Sequence, residues 1–171
     1  MFSADLGILV LRVVVGLIFA GHGAQKLFGW FGGGGMEGAT KMMEQLHLHP
    51  TRFWAFVNAV AEFLGGLGLA LGLLTPLAAA ALVGSMLVAI LRVHAKNGFW
   101  NSKGGIEFPL TLGIVAFVIG GMGAGQYALD TLLGLTLPEP ITYLVALLVI
   151  LLGAALALTT PRILRPRESA T

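Results

Sequence analysis

LGILVLRVVVGLIFAG, residues 6–21, followed at once by His22-Gly-Ala-Gln25-Lys26, decides how the rest of the chain is read. About 16 residues, apolar except for Arg12, make up most of a membrane span. The run then delivers three polar side chains at i, i+3 and i+4, which share one helix face. Ionisable groups at membrane depth cost a few kcal/mol each, so a cluster of them marks a candidate site.

The composition agrees with that opening. Only 11% of the 171 residues are charged and 57% are hydrophobic. Soluble domains carry about 25% charged residues, so the chain belongs with integral membrane proteins. The absence of cysteine excludes disulfides, thiolate chemistry and Cys-ligated metal or iron–sulfur centres. Twenty-five glycines suit close helix packing in lipid. Nothing in a net charge of +2 points to nucleic acid. Met-Phe-Ser-Ala-Asp lacks a basic leader, so the first helix is expected to stay in the mature protein.

Five apolar segments are expected to span: residues 6–28, 53–74, 77–93, 106–122 and 141–158, the third and fourth only just long enough. Pro76 forces a tight hairpin between the second and third. Lys41 and Arg52 follow span one, and Lys96 and Lys103 follow span three. Arg162, Arg165 and Arg167 follow span five, while the two remaining links carry no basic residue. This alternation predicts an N-terminus outside and a C-terminus in the cytoplasm.

Within the first long loop, Met36, Ala39, Met43 and Leu46 recur at helical spacing, with Glu37, Lys41 and Glu44 mostly on another face. That predicts an amphipathic interfacial helix over 36–48. Gly65, Gly68 and Gly72 share a face of span two, where close approach to span one or three is expected.

The polar groups gather toward the cytoplasmic half. Span one ends in His22, Gln25 and Lys26; span two carries Asn58 and Glu62 at i, i+4; span three ends in Arg92 and His94; span four begins near Glu107. Glu62 lies about 14 Å deep, so it must be neutral or paired, with His22, Lys26 and His94 as available partners. Arg12, in the outer half, either snorkels outward or reaches inward toward Glu62. His47 and His49 lack acidic or Cys companions, and no metal site is expected.

Several stretches resemble the DoxX family of small bacterial membrane proteins. Leu11-Arg12-Val13-Val14-Val15-Gly16 with Gly23-Ala24-Gln25-Lys26 is similar to its first helix. Glu62-Phe63-Leu64-Gly65-Gly66 with Leu74-Thr75-Pro76 is similar to its second helix and hairpin. His94, Asn97-Gly98-Phe99 and Glu107, then Gly125-Gln-Tyr127-Ala-Leu-Asp130, resemble later parts. The resemblance covers about residues 5–133 and implies a four-helix core linked to membrane redox chemistry. Some members of that family are quinone-reducing subunits and others accompany oxidoreductases.

The expected architecture is therefore an all-α membrane protein: a four-helix transmembrane bundle over 5–133, a fifth transmembrane helix within 134–160 and a basic cytoplasmic tail over 161–171. The expected place is the bacterial inner membrane. The leading functional expectation is a quinone-linked oxidoreductase subunit or accessory. His22, Glu62 and His94 are its candidate catalytic groups, His as donor and Glu62 as proton relay. Gln25, Lys26, Asn58 and Glu107 are its candidate cofactor-binding groups. The alternatives are a non-catalytic anchor for a cytoplasmic enzyme and a transporter of a small solute or proton. Quinone is the candidate cofactor, with bis-His haem on His22 and His94 the weaker choice. The lipid bilayer, a soluble oxidoreductase and a second copy of the chain are the candidate partners.

Overall fold

A computed structural model describes residues 3–135, 137–138 and 140–159. The basic tail expected over 161–171 lies outside the described residues, which contain no strand. Seven α-helices are built from them: α1 (Ala4–Phe28), α2 (Gly35–Gln45), α3 (Thr51–Leu71), α4 (Thr75–Ala89), α5 (Glu107–Met122), α6 (Leu129–Leu132) and α7 (Ile141–Thr159).

Local chemistry sets the ends of these helices. The Ser3 hydroxyl accepts from the Leu6 N–H at 3.2 Å and caps α1. Gly29 closes it in the left-handed region at φ 73°. Gly72 closes α3 in the same way, and Pro76 then sits in the first turn of α4. The expected hairpin is thus present. Beyond Ala89 the α4 rod continues through a π-helical turn, Ile90–His94, which ends the regular α pattern before the loop to α5.

Three helices and the extended α4 rod are long and apolar enough to cross a membrane: Ala4–Phe28, Thr51–Leu71, Thr75–Asn97 and Ile141–Thr159. The chain is a multi-pass all-α membrane protein. α5, with 16 residues, is shorter and spans about 24 Å of a hydrocarbon core about 30 Å thick.

α1 packs on α3, α3 on α4, α4 on α5 and α5 back on α1, so four helices close a ring. α7 docks outside this ring against α4. Phe19, Leu69, Leu82, Leu112 and Ile119 are buried where the helices meet. Val10, Val14 and Leu17 of α1, with Leu148, Leu152 and Leu156 of α7, are exposed, as lipid-facing side chains must be.

α2 matches the amphipathic helix expected from the sequence, ending at Gln45 rather than 48. Ala39 and Met43 on its apolar face bury against Leu48 and Ala55, so that face is covered by protein. Its charged face carries the exposed Glu37–Lys41 pair at 2.7 Å.

The glycines divide differently from the expectation. α1 and α3 approach closely at Gly16 and Gly66, and again where Gly23 meets the Phe63 backbone. A Cβ on Gly16 would lie 2.5 Å from the Gly66 carbonyl oxygen, and one on Gly66 would lie 2.6 Å from that of Gly16. Gly65 and Gly68 face Ala78 and Leu82 of α4, whereas Gly72 has left the helix as its cap.

Candidate functional site

Glu62 is the anchor of the site. Its side chain, on the fourth turn of α3, is only 3% exposed. A lone carboxylate at that depth would carry a penalty of several kcal/mol, so its partners decide its state. Lys26 of α1 forms an ion pair with Glu62 Oε2. The same ammonium donates to Asn58 Oδ1 at 2.8 Å. Asn58 Nδ2 donates to Ser85 Oγ of α4 at 2.8 Å, and Ser85 Oγ donates to Glu62 Oε1 at 2.7 Å.

The directions of these bonds are forced. Lysine has donors and no acceptor, so Asn58 must turn its oxygen to Lys26 and its amide N–H to Ser85. Ser85 accepts there and spends its proton on the carboxylate. Two donor-to-acceptor paths therefore run from Lys26 to Glu62, one direct and one through Asn58 and Ser85. Asn58 keeps a second amide N–H outside this network.

Beside this network lies a cavity of about 290 Å³ between α2, α3, α4 and α7. Trp54, Val57, Val88, Ile150 and Ala154 give it apolar walls, and Asn58 and Ser85 are its polar groups. The volume falls near the lower end of small-molecule pockets. A second cavity, of about 550 Å³, is lined by Leu77, Ile141, Thr142, Val145, Ala146, Val149 and Ile150.

A separate charged cluster sits at the far end of the bundle. Arg12 is fully buried, and its Nη2 donates to the Tyr127 carbonyl at 2.9 Å. It neither snorkels outward nor reaches Glu62, and its Nε and Nη1 have no hydrogen-bond partner among the described residues. Asp130, 7% exposed, accepts from the Leu74 N–H at 2.7 Å, the Thr75 N–H at 2.9 Å and Thr75 Oγ1 at 3.0 Å. Asp130 of α6 thus caps the start of α4.

Of the residues singled out from the sequence, Lys26, Asn58 and Glu62 come together. His22 and Gln25 form their own pair at 3.2 Å, and Gln25 donates to the Phe31 carbonyl at 3.3 Å. The exposed His22 ring stands edge-on to Phe108, with centroids 6.1 Å apart. His94 Nδ1 bonds the Gly104 carbonyl at 2.7 Å, and Glu107 accepts from the Asn101 N–H at 2.8 Å. Those two side chains fasten the connection between α4 and α5. Ser85 gives no signal in the sequence, because a lone serine in an apolar helix carries no pattern. Its i, i+4 relation to Ala81 and its place between Gly84 and Met86 do not reveal that it faces Glu62.

The model of the DoxX family matches residues 7–95. A protein of Bacillus subtilis (strain 168) described as "Putative oxidoreductase CatD" is 32% identical over 128 residues, covering 75% of this chain and 87% of the relative. No solved structure matches the chain.

Proposed function

The chain belongs to the DoxX family, and from that premise we propose that it is a quinone-linked membrane subunit or accessory of an oxidoreductase. The family and its oxidoreductase-named relative support the association with redox chemistry. The observation that carries the quinone reading is the apolar slot whose polar groups, Asn58 and Ser85, belong to the Lys26–Glu62 network. A quinone needs that combination: an apolar berth for its ring, hydrogen bonds at its carbonyls and a nearby group that exchanges protons.

A quinone supplies two-electron, two-proton chemistry, its electrons coming here from a partner oxidoreductase. The chain's own residues bind and handle protons. The spare Asn58 N–H is the donor available to a carbonyl in the slot. Ser85 links the slot to Glu62 Oε1, so a proton can pass between slot and carboxylate through one hydroxyl. Lys26 neutralises Glu62 and holds it in place. Its partial exposure, 23%, gives the network a contact with the α2 end of the bundle.

We assign that end to the cytoplasm of the bacterial inner membrane. Lys41, Arg52, Lys96 and Lys103 all lie on elements or loops at the α2 end, which supports this orientation. A soluble partner would then meet the α2 face.

The test is extraction of the full-length protein purified in mild detergent. Organic solvent should release a stoichiometric quinone from the wild type, and Asn58→Leu and Ser85→Ala should retain markedly less. A wild type that carries no quinone and binds none when it is supplied overturns the reading.

A further inference from the structure

The slot beside Ser85 adjoins the second, larger cavity along α7. The α7 residues Ile141, Val145, Val149, Gly153 and Ala157 succeed one another at i+4, which places them in one row on the helix. The slot is lined by the later members of this row and the second cavity by the earlier ones. The two cavities share Val149 and Ile150 as walls. Leu77 on α4 faces the Ile141 end, and Ala81, Gly84 and Val88 face the other. Taken together, the two cavities form a groove along the α4–α7 seam over the 17 residues from Ile141 to Ala157, a length of about 24 Å.

Three contacts fix α7 against α5 and the α4 rod along its length. Near one end Tyr143 Oη donates to the Phe117 carbonyl at 3.0 Å. Midway the Ile150 side chain lies over Gly84, where a Cβ would collide with it. At the other end Arg92, on the π-helical turn, donates to the Leu158 carbonyl in the last turn of α7. Between Ile150 and Leu158 the wall is made of Gly153, Ala154 and Ala157, whose small size leaves the slot its volume.

We infer that this groove holds the polyisoprenoid tail of the quinone whose head lies at Asn58 and Ser85, and that α7 is the element that selects for a tail. The inference rests on the quinone reading above. The groove is polar at its head end and apolar along its walls, apart from Thr142, whose hydroxyl is spent on the Pro138 carbonyl. No charged side chain lines the slot, and the nearest ammonium, Lys26, is already paired with Glu62. A phosphate head group at Asn58 and Ser85 would find no charged side chain in the lining, and Arg92 at the end of the seam is bonded to the Leu158 carbonyl, whereas a neutral carbonyl ring finds a donor. α7 lies beyond the residues matched by the family model, so it adds this tail site to the shared core.

The experiment uses the full chain in phosphatidylcholine nanodiscs with Trp30→Phe and Trp100→Phe, which leaves Trp54 in the slot wall as the only tryptophan. Quenching of Trp54 is titrated with a methylated benzoquinone ring without a tail and with the same ring bearing a long isoprenoid tail. Val145→Phe fills the groove at a site 54% exposed, where folding tolerates it. It should weaken binding of the tailed quinone about fivefold and leave the tail-less ring within about twofold. A diazirine at the tail end should cross-link to residues 141–146.

Quenching by both rings with no effect of Val145→Phe on the tailed one overturns the tail site and leaves the quinone reading standing. So does an equal loss for both ligands, or cross-links spread over the lipid faces of α1 and α5. The absence of Trp54 quenching by either ring overturns both.

Discussion

Lys26 on α1 and Glu62 on α3 form an ion pair in which the carboxylate is 3% exposed and the ammonium 23%. The Glu37–Lys41 pair on α2 makes the opposite case, with its side chains 80% and 67% exposed. There the Lys41 hydrogen bond, and then its charge, hold the Glu37 carboxyl below the ordinary range. Water screens that pair, and it contributes little to stability. Removing one partner of a buried pair leaves the other charge stranded, at about 3–5 kcal/mol. Lys26→Met should therefore lower the unfolding midpoint in detergent sharply, and adding Glu62→Gln should restore most of the loss. Lys41→Ala should leave the midpoint unchanged.

Ser85 gives its proton to Glu62, and hydrogen bonds to charged groups contribute about 1.5–3 kcal/mol. Ser85→Ala should destabilise the wild type by that amount. In a Glu62→Gln background the same substitution should cost much less, because the acceptor is no longer charged. Denaturant titration of the four proteins in this cycle gives the coupling directly.

Much of this arrangement is legible in the sequence, and the part that is not has a physical reason. The depth of Glu62 follows from counting residues along an apolar helix, and depth alone demands a partner. Lys26 and Asn58 could be named because they are polar where polarity is costly. Which of Lys26, His22 and His94 reaches Glu62 depends on how α1 and α4 rotate against α3, and those rotations follow from the Gly16–Gly66 contact for α1 and from Gly65 and Gly68 against Ala78 and Leu82 for α4. Ser85 is common enough in apolar helices to pass unnoticed until α4 is turned toward α3. The groove needs two helices separated by more than fifty residues to be laid side by side, which no local pattern encodes. His94 and Glu107 are polar for a different reason: their partners are backbone groups of the loop between them.

The Arg12–Asp130 cluster makes an unequal prediction. Asp130 accepts three hydrogen bonds at the start of α4, two of them from backbone N–H groups. Arg12 donates one bond, with Nε and Nη1 unsatisfied among the described residues. Asp130→Ala removes the cap and strands its donors, which should cost about 3 kcal/mol or more. Arg12→Met removes a guanidinium that is incompletely paired and replaces it with apolar volume, a change that is often close to neutral. The unfolding midpoint should thus fall further for Asp130→Ala than for Arg12→Met; the reverse order would mean that Arg12 holds that end of the bundle.

Gly65 and Gly66 are neighbours with different duties, and that difference reaches the site. A methyl group on Gly65 would meet the Leu82 side chain at 3.2 Å, and a flexible leucine tip can yield. On Gly66 it would meet the α1 backbone, with the Gly16 carbonyl oxygen 2.6 Å away, and a helix backbone cannot yield without moving the whole rod. Overpacking of this kind costs about 1–3 kcal/mol. Because Lys26 rides on α1 and Glu62 on α3, pushing those helices apart also pulls on the ion pair. Gly66→Ala should therefore lose both stability and quinone retention, whereas Gly65→Ala should lose little of either. If Gly66→Ala retains full quinone binding despite a lowered midpoint, the network does not depend on the seam, and Lys26 has enough reach to follow Glu62 outward.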